Sequence, residues 1–422
     1  MMSIQDDHSM RMNIFTARAH ILIGISLLLS MIPFAQAQEN VALTRPAILT
    51  LFRPFTSTDD NGNFVRLPFT LSLNSTVGYD DNVSTTHSNQ IESGFNGLSL
   101  AIGSHVGNQR TILDADVSFG IIYYWDRPGR KYDPDMSLNL KFTHQFNPRL
   151  VLGISSFMTY QTQPDFSTGT GQLKNVGDYF YTTEQITLGF QWSRRLSTVT
   201  SYSLSTYYYD AAIVAAQQNR VEQVIGQQIR YQLYPTVTAA FEYRFSYVNY
   251  ETANTDSYSN FVLAGADFTL SPKLSFAFRG GAEFRHQLGI FAGDSIFPYF
   301  ESTLSYQYRP GSFVKWYNRY GLEETDFGFN TGSKKTFRSG LQISHSLGNK
   351  LKAGLSAYYT NSQFNAPTSV TENALDITGS LSYAVTQKFS VQLGYTYTQI
   401  NSDLVLDEYT RNRVYLGATY AF

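Results

Sequence analysis

Beyond its first 68 residues the chain alternates between apolar and polar positions with a period of two. In Val237–Tyr247 the odd-numbered positions are apolar or aromatic, whereas the even-numbered positions include Glu242 and Arg244. The segments Leu274–Phe284 and Val391–Tyr397 repeat this arrangement. Because successive side chains of a strand point to opposite faces, the pattern predicts many strands with one apolar face and one polar or charged face.

Short turns and longer polar loops separate the predicted strands in alternation. The turns are centred on Gly107-Asn108, Asn147-Pro148, Arg194-Arg195, Tyr234-Pro235, Ser271-Pro272, Pro310-Gly311, Gly348-Asn349 and Thr386-Gln387. The loops are Asp80–Ser93, Trp125–Asp135, Thr162–Asp178, Asp210–Asn219, Glu251–Ser257, Gly289–Ser295, Thr325–Lys335, Asn361–Glu372 and Ser402–Glu408. Short periplasmic turns and longer outer loops are typical of transmembrane β-barrels. The count predicts an all-β, antiparallel up-and-down barrel of 18 strands. Sixteen strands are the alternative, because the first third of the chain is less regular.

Two soluble architectures also repeat short strands. A β-propeller has a similar repeat length, but each blade holds four strands, whereas the step from Pro235 to Pro272 holds two. A β-solenoid would need shorter rungs with apolar residues stacked inside. After Phe34 no apolar run approaches the ~20 residues that a membrane helix needs. The pattern therefore favours a barrel that crosses the membrane with strands.

The composition agrees with this prediction. The 422-residue chain contains 30 Tyr and 31 Phe, and only 15% of its residues are charged. Aromatic and small polar residues in alternation suit a sheet with one face in lipid and one in water. The net charge of −2 gives no reason to expect a nucleic-acid partner. The absence of cysteine excludes disulfides, thiolate metal ligands and cysteine nucleophiles.

The N-terminus has the three-part pattern of a secretory signal. Arg11 and Arg18 precede an apolar run, and Ala35-Gln36-Ala37 supplies small residues at the cleavage positions. We expect residues 1–37 to be a cleaved signal peptide, with an uncleaved anchor as the alternative. Residues 38–68 would then form a periplasmic extension, and residues 69–422 would form the barrel.

Aromatic residues cluster beside the predicted loops, as expected for the girdles at the two membrane surfaces. These clusters are Tyr123–Trp125, Tyr207–Tyr209 and Tyr358-Tyr359. The last strand places Leu416 and Tyr420 on its apolar face and ends on Phe422. This ending resembles the C-terminal signal of bacterial outer-membrane barrels, which the barrel assembly machinery engages.

We find no residues whose pattern predicts catalysis, a metal centre or a cofactor. His87-Ser88-Asn89 contains the residue types of a hydrolase, but adjacent loop residues do not supply the converging geometry that nucleophilic catalysis needs. The pairs Asp59-Asp60 and Asp80-Asp81 have no histidine placed with them by a recognisable motif. We therefore predict that the protein is not an enzyme and has no cofactor.

Charged residues lie instead on the predicted inward face. A charge facing lipid at the membrane midplane costs about 2–4 kcal/mol, so we expect these side chains to point into the lumen. The residues predicted to line a pore are Arg230, Glu242, Arg244, Arg279, Glu283, Arg285 and Glu301. Such a lining would tune the selectivity of a channel. The alternative is that these residues pair with one another and fill the interior, although a barrel of this size encloses an aqueous channel unless it is plugged.

The first predicted strand ends on Tyr79-Asp80-Asp81-Asn82-Val83. This motif resembles the opening of the putative beta-barrel porin type-two family. The resemblance implies an outer-membrane barrel, and some members are sited with exopolysaccharide production and export genes. From the residues themselves, Asp80-Asp81-Asn82 is a strand-to-loop turn, with a calcium site as the alternative.

These features together predict a channel in the bacterial outer membrane for passive diffusion or export of small hydrophilic solutes or saccharides. A link to exopolysaccharide export is implied by the resemblance. Aromatic rings and arginines along a polar lumen would suit sugar rings. The expected partners are outer-membrane lipid, the barrel assembly machinery and the solutes. The alternative is a non-conducting barrel that serves as an adhesin or an assembly scaffold.

Overall fold

The computed structural model describes residues 69–108, 110–167, 174–325, 332–364 and 369–422, together with two short strands at 56–58 and 64–66. The predicted signal peptide and most of the predicted extension lie outside these residues. The two short strands, β1 (Thr56–Thr58) and β2 (Phe64–Arg66), pair antiparallel with each other. Among the described residues, no helix is both long and apolar enough to cross a membrane.

Eighteen longer strands form one closed antiparallel barrel, in which each strand pairs with its neighbours in the chain and the last pairs with the first. The barrel strands are β3 (Phe69–Asp80), β4 (Ser93–Gly107), β5 (Thr111–Tyr124), β6 (Tyr132–Asn147), β7 (Leu150–Gln161), β8 (Tyr179–Gln191), β9 (Leu196–Tyr209), β10 (Arg220–Tyr234), β11 (Val237–Tyr250), β12 (Ser257–Ser271), β13 (Leu274–Gln287), β14 (Gly293–Arg309), β15 (Ser312–Glu324), β16 (Ser333–Leu347), β17 (Leu351–Phe364), β18 (Val370–Ala384), β19 (Phe389–Ser402) and β20 (Tyr409–Ala421). The predicted fold and the count of 18 strands are confirmed.

Every predicted turn separates two strands of the barrel, but several predicted loops were too long. The predicted loop Asn361–Glu372 overlaps both β17 and β18. The predicted loops beginning at Trp125, Gly289 and Thr325 each run into the strand that follows. Polar residues continue the pairing there because strands extend past the apolar band. Asn361, for example, donates a hydrogen bond from its side chain to that of Asn373 on the neighbouring strand, at 2.9 Å.

The loop predicted at Asp210–Asn219 contains a short helix, α1 (Ala212–Gln218). Its backbone is regular, with the Asn219 N–H bonded to the Ala215 carbonyl at 3.0 Å. Val214 of this helix is buried against tyrosines of the barrel interior. The apolar packing of one residue thus orders a segment that polar composition marked as a loop.

The two faces of the barrel differ as the alternation predicts. On β11, Phe241 is 51% exposed on the outside, whereas the adjacent Glu242 is 7% exposed on the inside. The last strand follows the same rule, with Leu416 and Phe422 on the outer face. The backbone N–H of Phe422 also donates to the Leu71 carbonyl of the first barrel strand at 2.9 Å, which extends the pairing to the last residue.

The predicted aromatic girdle is only half correct. Tyr123, Trp125, Tyr208 and Tyr359 are exposed on the outer surface. Their neighbours Tyr124, Tyr207, Tyr209 and Tyr358 are buried inside the barrel. Adjacent residues of a strand cannot share a face, so every second aromatic of each cluster contributes to the interior instead.

Candidate functional site

All seven residues predicted to line a pore point into the barrel and are buried there. They come from four strands: Arg230 from β10, Glu242 and Arg244 from β11, Arg279, Glu283 and Arg285 from β13, and Glu301 from β14. Neighbouring strands bring them together, because Arg279 lies directly opposite Glu301 in the β13–β14 ladder. The alternation of the strands therefore gathers charges that are far apart in sequence.

Arg244 is the centre of the first group of contacts. Its Nε donates to Glu242 at 2.5 Å, and its Nη2 donates to Glu301 at 2.6 Å. The Tyr299 hydroxyl donates to the same Glu301 carboxylate at 2.7 Å. Glu242 also accepts a hydrogen bond from Gln228 at 2.9 Å. Each buried carboxylate thus has an arginine and at least one neutral donor, as buried charges require.

Asp267 of β12 joins two further arginines. Its carboxylate lies 2.5 Å from Arg230 and 2.9 Å from Arg279. Arg279 lies 3.8 Å from Glu242, which connects this pair of contacts to the Arg244 group. The sequence prediction missed Asp267. The alternation along β12 could have identified it. Val262 faces lipid, and Asp267 lies an odd number of positions further along the strand, so its side chain must point inward.

The belt of charges continues onto β15 and β16. Arg285 forms an ion pair with Glu324 and lies 3.9 Å from Glu283. Arg338 contacts Glu323 at 2.7 Å, and Arg319 lies 4.0 Å from that same carboxylate. Arg319, Glu323 and Glu324 were also missed. On β15 the exposed Trp316 faces lipid, and Arg319 and Glu323 lie an odd number of positions from it, so the alternation places both side chains inside the barrel. Glu324 is the last residue of the strand, and the alternation does not predict its inward position.

We call these residues together the ion-pair belt. It contains six arginines and six carboxylates: Arg230, Arg244, Arg279, Arg285, Arg319 and Arg338 with Glu242, Asp267, Glu283, Glu301, Glu323 and Glu324. Its formal charge is therefore zero. The charged side chains that were predicted to line a pore therefore form ion pairs mainly with other residues of the belt.

A cluster of aromatic residues lies inside the barrel on β7, β8 and β9. The rings of Tyr181 and Tyr207 are 4.9 Å apart, and Phe157 packs against Tyr181 at 6.2 Å. The Arg220 guanidinium lies 3.9 Å from the centre of the Tyr207 ring and also contacts Glu222 at 2.8 Å. This aromatic cluster therefore forms one wall of the interior, and the ion-pair belt forms another.

A cavity of about 300 Å³ lies between these two walls. The aromatic cluster contributes Tyr181 and Tyr207 to its lining, and the ion-pair belt contributes Arg319 and Glu323. The hydroxyl and amide side chains of Ser203, Ser205, Thr183 and Gln185 also line it. The cavity therefore offers many hydrogen-bonding groups beside apolar surface of similar extent.

One outer loop folds into the barrel. We call Thr162–Ser167 and Lys174–Asp178 the inward loop; both parts belong to the connection between β7 and β8. Gln163 accepts a hydrogen bond from Arg411 of β20 at 2.6 Å, and Phe166 packs on the buried residues Ala374, Ile400 and Tyr409 of three other strands. Ser167 lines the cavity. The sequence prediction placed this segment as an ordinary outer loop and did not anticipate that it enters the lumen.

The Tyr79–Val83 motif joins the first barrel strand to the last. Arg411 donates to both carboxylate oxygens of Asp80, at 3.0 and 3.1 Å. Asp81 accepts bonds from the backbone and side-chain nitrogens of Asn412 at 2.7 Å, and the Asn82 side chain donates to the Thr410 carbonyl at 3.0 Å. The predicted strand-to-loop turn is therefore also a closing contact of the barrel. In the part of the chain that the structure describes, no group of three or more His, Cys, Asp or Glu is arranged to hold a metal ion.

Comparison with known proteins gives one family and several similar structures. A family model described as putative beta-barrel porin 2 matches residues 59–422. The solved structure of OccAB4 from Acinetobacter baumannii has 13% identity and a TM-score of 0.41, over 84% of this chain and 99% of that one. OpdL from Pseudomonas aeruginosa has 11% identity and a TM-score of 0.42 over 84% and 99% of the two chains. The Pseudomonas aeruginosa outer-membrane protein OpdK has 10% identity and a TM-score of 0.43 over 84% and 98%. No curated protein matches the chain.

Proposed function

Because the chain belongs to the putative beta-barrel porin 2 family, we propose that it is a channel for small hydrophilic solutes, including saccharides. The barrel lies in the bacterial outer membrane and is porin-like. The observation that carries the proposal is the cavity between the ion-pair belt and the aromatic cluster, which is lined by many hydrogen-bonding side chains. Such a cavity can replace the hydration of a polar solute with hydrogen bonds from the wall.

The charge balance of the belt favours uncharged solutes. Six arginines and six carboxylates lie in mutual contact, so the belt itself has little net field to attract either cations or anions. The seven predicted pore-lining residues would then act as a polar, neutral surface rather than as a charge filter. Hydroxyl-rich molecules fit this chemistry, because arginine and carboxylate side chains both hydrogen-bond to hydroxyl groups.

Export of exopolysaccharide is a narrower form of the same proposal. It is supported by the resemblance of the Tyr79–Val83 motif and by the hydroxyl-compatible lumen. The alternating last strand that ends on Phe422 supports recognition by the barrel assembly machinery, and the N-terminal pattern supports export by a cleaved signal. Deletion of the gene should lower the polysaccharide outside the cell if the narrower form holds.

A non-conducting structural barrel is the second candidate. The observation in its favour is that the belt residues are buried in contacts with one another and the inward loop occupies part of the lumen. In this role the belt would stiffen the barrel wall, and the outer loops would bind a partner.

Conductance distinguishes the two candidates. The purified, folded protein should produce discrete current steps in planar lipid bilayers, and liposomes that contain it should swell in isotonic glucose. The same preparation after heat denaturation is the control. A folded barrel that stays silent in both assays would contradict the channel and favour the structural role.

A further inference from the structure

The inward loop is held across the lumen by contacts at several points. At its start, Gln163 binds Arg411 of β20, and Phe166 packs on inward residues of β18, β19 and β20. At its end, Lys174 forms an ion pair with Asp407, and the backbone N–H of Asn175 donates to Thr85 at 3.0 Å. All of these partners lie outside the two strands from which the loop emerges, so the loop spans the interior rather than projecting into solvent.

The loop reaches well below the outer rim. Phe166 of the inward loop packs on Ala374 of β18, which lies four residues inside the outer end of that strand at Val370. At about 3.3 Å per strand residue, this is roughly 13 Å along the strand. Ser167 also lines the interior cavity. The loop therefore narrows the lumen below its outer opening.

Arg319 differs from the other arginines of the belt. Its side chain is 43% exposed, whereas the side chains of Arg244 and Arg338 are each 7% exposed. Its only ion pair within the belt, with Glu323, is long at 4.0 Å. Arg319 and Ser167 of the inward loop line the same cavity. A solute in this cavity would meet the partly exposed side chain of Arg319 and a hydroxyl-bearing loop.

We propose that the inward loop and Arg319 form the selecting constriction of the channel, with Gln163 and Phe166 holding the loop in place, and that it admits small uncharged polyhydroxy solutes. This inference rests on the proposed channel function and names its solute class and its selecting residues. The belt has no net charge, so selection depends on width and hydrogen bonding. Arg319 would donate hydrogen bonds to solute hydroxyls as they pass.

The first test releases the loop and measures the size limit. The double variant Gln163→Ala/Phe166→Ala removes both contacts with β18–β20, and Ile213→Ala, at an exposed position of another outer loop, is the control. Liposome swelling is measured with glucose, sucrose and raffinose. Because pore width limits passage, we expect the double variant to admit raffinose about twofold faster or more, with Ile213→Ala unchanged. An unchanged size limit in a folded double variant would overturn the proposal.

The second test does not depend on releasing the loop. Since the chain has no cysteine, Ser167→Cys introduces a single thiol at the cavity, and Ile213→Cys is its control. A cationic methanethiosulfonate reagent should lower the conductance of Ser167→Cys and leave that of Ile213→Cys unchanged. If neither responds while the protein conducts, the inward loop does not border the pathway.

The third test concerns Arg319 and the solute class. Sucrose that enters the constriction should reduce the ion current in a concentration-dependent way. Arg319→Gln should raise the half-blocking sucrose concentration about fivefold or more, as expected for one lost hydrogen bond from a charged donor. Arg319→Lys should restore part of the block. A wild-type current that sucrose does not reduce, or an unchanged block in Arg319→Gln, would contradict the assignment, whereas absence of any current in the wild type would contradict the proposed function itself.

Discussion

Asp80 of the first barrel strand and Arg411 of the last strand form a buried ion pair. The Arg411 Nε donates to both oxygens of the carboxylate, at 3.0 and 3.1 Å, and Asp80 has no exposed surface. The same guanidinium donates to Gln163 of the inward loop at 2.6 Å. One side chain therefore connects the closure of the barrel to the position of the loop that narrows it.

Removing the Asp80 carboxylate should destabilise the barrel. Asp80→Ala leaves the buried Arg411 without its ion-pair partner, and breaking such a pair costs about 3–5 kcal/mol. The free energy of unfolding in urea, measured in lipid vesicles, checks this. The control is Asp294→Ala, whose side chain is 84% exposed and contributes little. Equal stability of Asp80→Ala and the wild type would show that the pair does not hold the closure.

Charge on the outer face should be costly, whereas charge on the inner face should be tolerated. Leu393 of β19 is exposed on the lipid side, opposite Leu416 and Leu381 of the neighbouring strands. Leu393→Lys should lower the free energy of unfolding by up to about 2–4 kcal/mol, the cost of a lysine near the membrane midplane. The control is Thr396→Lys, at a position of the same strand whose side chain points into the barrel. A similar loss from both variants would mean that the faces are wrongly assigned.

Local alternation was enough to predict the barrel and part of the site. The parity of β11 placed Glu242 and Arg244 inside, and turn residues such as those at Ser271-Pro272 marked where strands end. Asp267 and Arg319 obey the same parity, but they become conspicuous only once their arginine and carboxylate partners are known. The alternation therefore predicts which residues face inward, but it does not predict which of those residues form ion pairs with one another.

The inward loop could not be predicted in the same way. Its composition is that of any polar loop, and its anchors lie far away in sequence. Gln163 and Arg411 are separated by 248 positions. Phe166 was not recognisable as a packing residue, because its partners Ala374, Ile400 and Tyr409 come from three strands that meet only in the closed barrel. Such contacts follow from the closure of the sheet and leave no periodic signal.

Ion selectivity should be weak and easily shifted. With six arginines and six carboxylates in the belt, we expect similar permeability for potassium and chloride, measured from the reversal potential in a salt gradient. Glu323→Gln removes one negative charge and leaves Arg338 with one fewer carboxylate, so the reversal potential should move towards anion preference. Glu323→Asp keeps the charge and should behave like the wild type. A strong cation preference in the wild type would contradict the neutral lining.

Arg244 and Glu301 should be energetically coupled. Arg244→Met removes the ion-pair partner of the buried Glu301 carboxylate and leaves the Tyr299 hydroxyl as its hydrogen-bond donor. We therefore expect this variant to lose about 3–5 kcal/mol of unfolding free energy. Glu301→Gln should also destabilise the barrel, since it leaves Arg244 with one carboxylate, Glu242, instead of two.

The double variant Arg244→Met/Glu301→Gln should lose less than the sum of the two single variants, because it leaves no unpaired charge between β11 and β14. The difference, a coupling of about 0.5–3 kcal/mol, is the range found for residues in one ion-pair network. Glu242 keeps the bond from Gln228 in every variant, so the comparison isolates the pair. If the losses simply add, the two residues act independently, and the belt would then be a set of separately hydrated charges rather than a connected wall.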